Sequence, residues 1–183
     1  MVLGKRYRKN IRNIGKYSNK SFKKTKDGIK QINENYLNKL SENASIEVEM
    51  DEMWSFYANK NNQVWLWWAI DHNTHTPLAF TFGTREHKYL DELMNLLKPF
   101  NIKTVFADNN FAYKNKISEK ILVTGKKNTQ AIERHHLTLR TRIKRLNRKT
   151  ICFSKNLDIH KSVISFFINR FLFGYFSSYS TFL

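Results

Sequence analysis

The chain has 183 residues, with 32 Lys and Arg against 15 Asp and Glu, for a formal net charge of +17. That length allows one domain with a real core plus an appendage, and that charge calls for a polyanionic partner. A single cysteine, Cys152, excludes a disulfide within the chain and a cysteine zinc site.

The start, MVLGKRYRKN, lacks the apolar stretch of a signal peptide, and no run approaches a membrane span. A reducing cytoplasm is the expected setting. The charge is also segregated. Residues 46–113 hold nine acids against five bases, whereas residues 114–155 hold thirteen bases against two acids. Basic segments can hold a polyanion while an acidic middle holds the cations that let phosphate approach. The other reading is a basic nucleic-acid binder whose acids are incidental.

Residues 1–45 are rich in Lys, Asn and Ser. Apolar residues are sparse until Ile29, Ile32, Tyr36, Leu37 and Leu40, whose spacing predicts a short amphipathic helix. The region reads as a basic, partly disordered N-terminal arm, either simply solvated or in contact with DNA. At Ile46 the composition changes. Residues 46–57, IEVEMDEMWSFY, begin by alternating apolar and acidic residues, which predicts a strand with one acidic face. After a turn at 59–62, the continuously apolar VWLWWAI at 64–70 suits a strand buried on both faces. A tight hairpin would set Asp51 opposite about Ile70 and bring Asp71 near Met50, on the opposite face from Asp51. Residues 77–82 make a third strand, ended by Gly83.

A helix follows over 87–97, with Leu90, Leu93, Met94 and Leu97 on one face. Next come a short strand over 103–107, a sharp turn at Asp108-Asn109-Asn110, a short helix over 111–119 and a strand over 121–124. Residues 128–149 read as one helix capped by Asn128 or Thr129, with Ile132, Leu139, Ile143 and Leu146 toward a core. Residues 151–153 suit a short extended piece, and 157–171 return to helical spacing. The fold class is therefore α/β, a mixed sheet flanked by helices. Its divisions are the arm over 1–45, a domain over 46–155, and a C-terminal helix and aromatic tail over 156–183.

The 128–149 helix carries Arg134, Arg140, Arg142, Lys144, Arg145, Arg148 and Lys149, and a single acid, Glu133. Glu133 is either a salt-bridge partner for Arg134 or Arg140, or a metal-binding carboxylate beside a phosphate-binding surface. Asp51 in a central strand and Asp108 at a strand's carboxyl end are the acids that can converge with it. Three such carboxylates suit Mg2+, which keeps waters and takes phosphate oxygens. Competing chemistries find no support. There is no glycine-rich phosphate loop, His135-His136 lacks zinc spacing, and no serine sits in a nucleophile elbow.

The segments EMDEMW at 49–54, FADNN at 106–110 and TQAIERHHLTLRTRIKRLNRK at 129–149, followed by CFSKNLDIHKSVI at 152–164, resemble the transposase of the insertion-sequence-one (IS-one) family. The resemblance covers roughly residues 47–168. It implies an RNase H-like fold and a DDE triad of Asp51, Asp108 and Glu133 that binds the catalytic metals, Mg2+ or Mn2+. The family's 24-residue gap between second acid and glutamate is met here. Glu49, on the strand face of Asp51, is the rival first acid, though M-D-E-x-W favours Asp51. Glu52 points the other way, and Asp71 matches a family aspartate and reads as structural or supporting.

Arg134, His136, Arg140, Lys144 and Arg145 are the candidate DNA contacts. His136 and Arg140 share the helical face of Glu133, placed either for the scissile phosphate or for general backbone contact. Relatives often read D-G-W where this chain has Asp108-Asn109-Asn110. The family's complete enzyme resembles a fusion in which an upstream frame supplies a zinc finger and helix-turn-helix, and this chain looks like the downstream frame. The resemblance implies metal-dependent DNA cleavage and strand transfer, multimers on DNA, and a place in the cytoplasm on the nucleoid. The other classes are a non-catalytic DNA-binding fragment or inhibitor, and an RNase H-like nuclease without strand transfer.

Overall fold

A computed structural model describes residues 24–25, 28–42, 44–147, 149 and 151–173. Residues 1–23, most of the expected arm, and the aromatic tail beyond Phe173 lie outside the described residues. Among the described residues, seven strands form one sheet. They are β1 (Lys24–Thr25), β2 (Gly28–Ile32), β3 (Ile46–Phe56), β4 (Gln63–Asp71), β5 (Pro77–Gly83), β6 (Ile102–Ala107) and β7 (Leu122–Thr124), in the order β1-β2-β5-β4-β3-β6-β7. Strands β3, β4 and β5 form the expected antiparallel meander, and β6 and β7 continue it in parallel. This is the anticipated mixed sheet.

Helices cover both faces. On one face, Leu90, Leu93 and Leu97 of α2 (His87–Leu97) pack with Ala112 and Tyr113 of α3 (Phe111–Lys116) over Val48, Met50, Trp67 and Ala69. On the other, Ile132 and Leu139 of α4 (Gln130–Arg142) and Ile164 of α5 (Leu157–Phe167) pack over Met53, Leu66, Trp68 and Ile70. Burying VWLWWAI between these layers is what its unbroken apolar run requires, and Leu66 to Ile70 are fully buried.

Three expectations are corrected. The stretch 29–40 is not one helix. It is strand β2, paired with β5 through Lys30↔Thr81 and Ile32↔Ala79, then the single turn α1 (Glu34–Leu37). Asn33 divides them. Its amide N–H donates to Leu78 O at 2.6 Å and its Nδ2 to Pro77 O at 2.7 Å, while its Oδ1 caps α1 at Tyr36 N. The β3–β4 register is two residues from the expected one, with Asp51 opposite Trp68 and Asp71 opposite Val48. The connection is longer than a tight turn and passes through Ala58 at φ 56°. An even shift preserves faces, so Asp71 still points away from the Asp51 side.

The helix starting near residue 130 ends at Arg142 rather than 149. Ile143 turns extended (φ −102°, ψ 97°) and a 3-10 turn, Lys144–Leu146, follows. The break lets Ile143 and Leu146 both reach the core, where they are 3% and 8% exposed. β2 also joins the sheet, and α5 shares a core with α4.

The start of α5 is fixed by a buried polar chain. Ser55 Oγ donates to Val64 O at 3.0 Å, so it accepts from His160 Nε2 at 2.9 Å, and His160 Nδ1 accepts from Ser154 Oγ at 3.0 Å. Burial, then the charges of Arg145 and Lys161, push His160 down to about 4. Its neutral form is therefore the folded form. Above pH ~6.5 it has no effect on stability. As pH falls from ~6.5 toward ~4 the unfolded chain takes up a proton that the folded chain refuses, and stability drops by up to roughly 3 kcal/mol. The difference in urea midpoint between wild type and His160→Gln, measured at pH 7.5, 6, 5 and 4, is expected to show this fall.

Candidate active site

The sheet brings two of the expected acids side by side. Strand β6 runs parallel to β3 with Met50 opposite Ala107, so Asp51 and Asp108 are the next residues on neighbouring strands. Asp108 lies one residue past the carboxyl end of β6, where its Oδ1 accepts from Asn110 N at 3.0 Å. That contact makes the turn. Asn110 then caps α3 at Ala112 N and donates from Nδ2 to Glu52 Oε1 at 3.0 Å. The turn thus survives the departure from D-G-W because Asn110 supplies its own cap and anchor.

Glu52 was expected to point away from Asp51, and it does, but it is not idle. Its side chain is 4% exposed and accepts from Tyr113 Oη at 2.8 Å, with Arg85 at 3.6 Å. It ties the strand carrying Asp51 to the loop carrying Asp108. Burial, then the charge of Asp108, raises its carboxyl. The inward position of Tyr113 on a six-residue helix was the signal available in the sequence.

The third acid arrives on α4. Thr129 is the N-cap but makes no side-chain cap bond. The cap comes from the sheet instead. Glu49, 1% exposed, accepts from Ile132 N at 2.9 Å and from His72 Nδ1 at 2.7 Å. A carboxylate at a helix N-terminus satisfies an otherwise unpaired amide and complements the helix dipole. Ile132 precedes Glu133, and Glu49 is two residues before Asp51, so this contact sets the third acid against the first. Both Glu49 oxygens are thus engaged, one by the Ile132 amide and one by His72.

Electrostatics shows the convergence. Burial, together with the charges of Glu52, Asp108 and Glu133, pushes Asp51 up to about 7, against a lowering bond from Glu52 N. Asp51 thus feels both other acids of the expected triad. Among the described residues, no group of three or more His, Cys, Asp or Glu is gathered tightly enough to hold a metal ion as placed. Asp51 lies within range of the charges of Asp108 and Glu133. Their donor set, crowded carboxylates on a strand, a strand end and a helix, fits a hard divalent cation that would relieve that crowding.

The basic candidates divide. Arg134 and Lys144 are exposed, and Arg140 is half-buried on the Glu133 face, close enough to His136 for its charge to act on the imidazole. Arg145 is half-buried, its Nη1 at 3.4 Å from Ser154 Oγ. His136 stacks on Trp68 with ring centroids 5.5 Å apart, accepts from Trp68 Nε1 at 2.8 Å and stands 3.5 Å from Asp51 Oδ2. Asp71, 2% exposed, accepts from Asn73 N, Thr74 N and Tyr36 Oη, a structural role in the turn after β4.

The family model described as IS1 transposase matches residues 44–174, which include every residue of this site. The chain belongs to the IS1 transposase family. It is 49% identical over 125 residues to the insertion element iso-IS1n protein InsB of Shigella dysenteriae, covering 68% of this chain and 95% of that protein. It is 40% identical over 121 residues to the insertion element IS1 protein InsB of Shigella sonnei, covering 66% and 92%. Escherichia coli K12 has an InsB protein, that of IS1 9, that matches at 40% over 121 residues, 66% of this chain and 72% of the protein. Among solved structures, the catalytic core domain of BIV integrase aligns at TM-score 0.43 and 16% identity, over 67% of this chain and 83% of that one. A chain of the simian T-cell lymphotropic virus intasome aligns at 0.44 and 18%, over 69% and 49%. Nothing further rests on likenesses that distant. For a member of the IS1 transposase family, a transposase-type function follows. No described helix is long and apolar enough to cross a membrane.

Proposed function

We propose that this chain is the catalytic part of a DDE transposase that cuts DNA at the ends of an insertion sequence and joins the freed 3′-hydroxyl to target DNA. The observation that carries this reading is Asp51, a buried carboxylate pushed up by burial and by the charges of Asp108 and Glu133 from separate elements. Those three acids are the proposed ligands of Mg2+, with Mn2+ as a substitute. Such cations, once bound, would activate the attacking water or 3′-hydroxyl and stabilise the leaving oxygen.

The chain's own groups do the rest by positioning. Glu49 holds α4 so that Glu133 faces Asp51, and Glu52, Asn110 and Tyr113 hold the Asp108 turn. Arg140 lies seven residues beyond Glu133 on the same helical face, suited to the phosphate. Arg134 and Lys144 are suited to the DNA backbone, which makes binding salt-dependent. The partners proposed are DNA, further copies of this chain on paired ends, and an upstream-frame zinc-finger and helix-turn-helix part joined by fusion. The proposed location is the cytoplasm, on the nucleoid.

The test uses labelled element ends, with the chain alone and joined to such an upstream part, in Mg2+, Mn2+ or EDTA. Cutting and joining that need metal, and that Asp108→Asn or Glu133→Gln removes, are expected. Full metal-dependent activity in Asp108→Asn would overturn the triad. Salt-sensitive binding without cleavage under any metal would favour the non-catalytic DNA-binding fragment. Cleavage without joining would favour a simple nuclease.

A further inference from the structure

Trp68 is fully buried on β4, directly opposite Asp51 of β3. Its indole nitrogen is a donor only, and it points at His136 Nε2 at 2.8 Å. Nε2 must therefore be the bare, accepting nitrogen of the ring. A neutral imidazole with a bare Nε2 carries its one hydrogen on Nδ1. That nitrogen stands 3.5 Å from Asp51 Oδ2, while Asp51 Oδ1 accepts from Glu52 N at 2.8 Å. One small shift of the carboxylate would close the remaining gap, as such contacts do when a site engages its substrate. The ring also stacks on Trp68 at 16° between planes, which fixes its rotation.

We propose that Trp68 and His136 form a relay that positions Asp51: the indole locks the imidazole tautomer, and the imidazole Nδ1–H holds Oδ2 of the first acid. With Glu52 N on the other oxygen, the carboxylate plane is fixed and each oxygen keeps a lone pair that a cation would take. This inference rests on Asp51 being a metal-binding acid. His136 is a positioning residue, since its only N–H stands 3.5 Å from Asp51 Oδ2 and its other nitrogen is occupied by Trp68. Outer partners of this kind typically change metal affinity by about 10- to 100-fold when lost.

The two ring nitrogens can be replaced separately. His136→Asn places an amide N–H near the former Nδ1 and gives up the Trp68 bond. His136→Gln places an amide oxygen near Nε2, keeping the Trp68 partner, and gives up the donor to Asp51. Three measurements on the full chain are proposed. They are the 15N shifts of the His136 ring, Mn2+ binding followed by electron paramagnetic resonance, and metal-dependent cutting of labelled ends.

The relay predicts an Nδ1–H tautomer in the wild type. It predicts Mn2+ affinity within about threefold of wild type in the Asn variant, and at least ~10-fold weaker in the Gln variant, with cutting following the same order. A merely structural role predicts the reverse, because Gln keeps the buried indole paired. An Nε2–H tautomer, or unchanged Mn2+ affinity in the Gln variant, overturns the relay. A wild type that shows the Nδ1–H tautomer but neither binds Mn2+ nor cuts DNA overturns the triad, and this inference with it. Unfolding midpoints of both variants separate a folding defect from lost positioning.

Discussion

Asp51→Asn is expected to abolish strand cleavage, by at least ~10^3-fold, and at the same time to make the folded chain more stable. Both effects have one cause. Asp51 is crowded by Glu52, Asp108 and Glu133 and is largely buried, so its charge is disfavoured in the fold and its pKa rises from 3.8 to about 7. A raised carboxyl lowers stability as pH climbs from ~4 through ~7, and the loss is complete above that range. Asparagine keeps the shape without the charge.

In EDTA at pH 8, the substitution is expected to raise stability by roughly 1–2 kcal/mol, or about 2–8 °C in Tm. This is well below the full shift because the Asp51 side chain is 20% exposed. At pH 4 the two proteins are expected to unfold together. Adding Mg2+ is expected to raise Tm in the wild type and to do so much less in the variant. An Asn variant less stable than wild type at pH 8 would mean that the acids are not crowded at all.

Glu49→Ala is expected to be among the most destabilising substitutions outside the apolar layers, at about 3 kcal/mol or more. It strands the Ile132 amide and His72 Nδ1 and removes the negative charge from the start of α4. Activity is expected to fall with it, because Glu133 loses its fixed place. Glu49→Gln is the discriminating variant. It keeps an acceptor for Ile132 N, costs about 1–2 kcal/mol, and is expected to retain most cleavage once folded. Were Glu49 a metal ligand, Gln would abolish cleavage as Asp51→Asn does. Urea unfolding and the labelled-end assay, run on the same preparations, separate the two.

The sequence was most informative where short-range pattern decides structure. VWLWWAI could only be a strand buried on both faces, and Leu90, Leu93 and Leu97 could only face a core. The acids were legible through their motifs, and the parallel register puts Asp51 beside Asp108. What sequence reading missed depends on distant partners. Ile29 and Ile32 have helical spacing, but Asn33 binds β5 some 44 residues away and draws the segment into the sheet. The end of α4 at Arg142 has no glycine or proline to announce it. It follows from the burial of Ile143 and Leu146 beneath α5. His136 looked like a phosphate contact because its helical face was known and its neighbour across the sheet was not. Trp68, opposite Asp51, occupies one of its ring nitrogens.

The sheet-borne cap on α4 has a temporal consequence during synthesis. A ribosome-tethered chain that has emerged only as far as β7 already owns the Asp51 strand, the Asp108 turn and Glu49, but no Glu133. The buried carboxylate that waits for the Ile132 amide is what recruits the last ligand. On the proposed function, a product terminated before Glu133 lacks the third acid and is expected to leave DNA uncut.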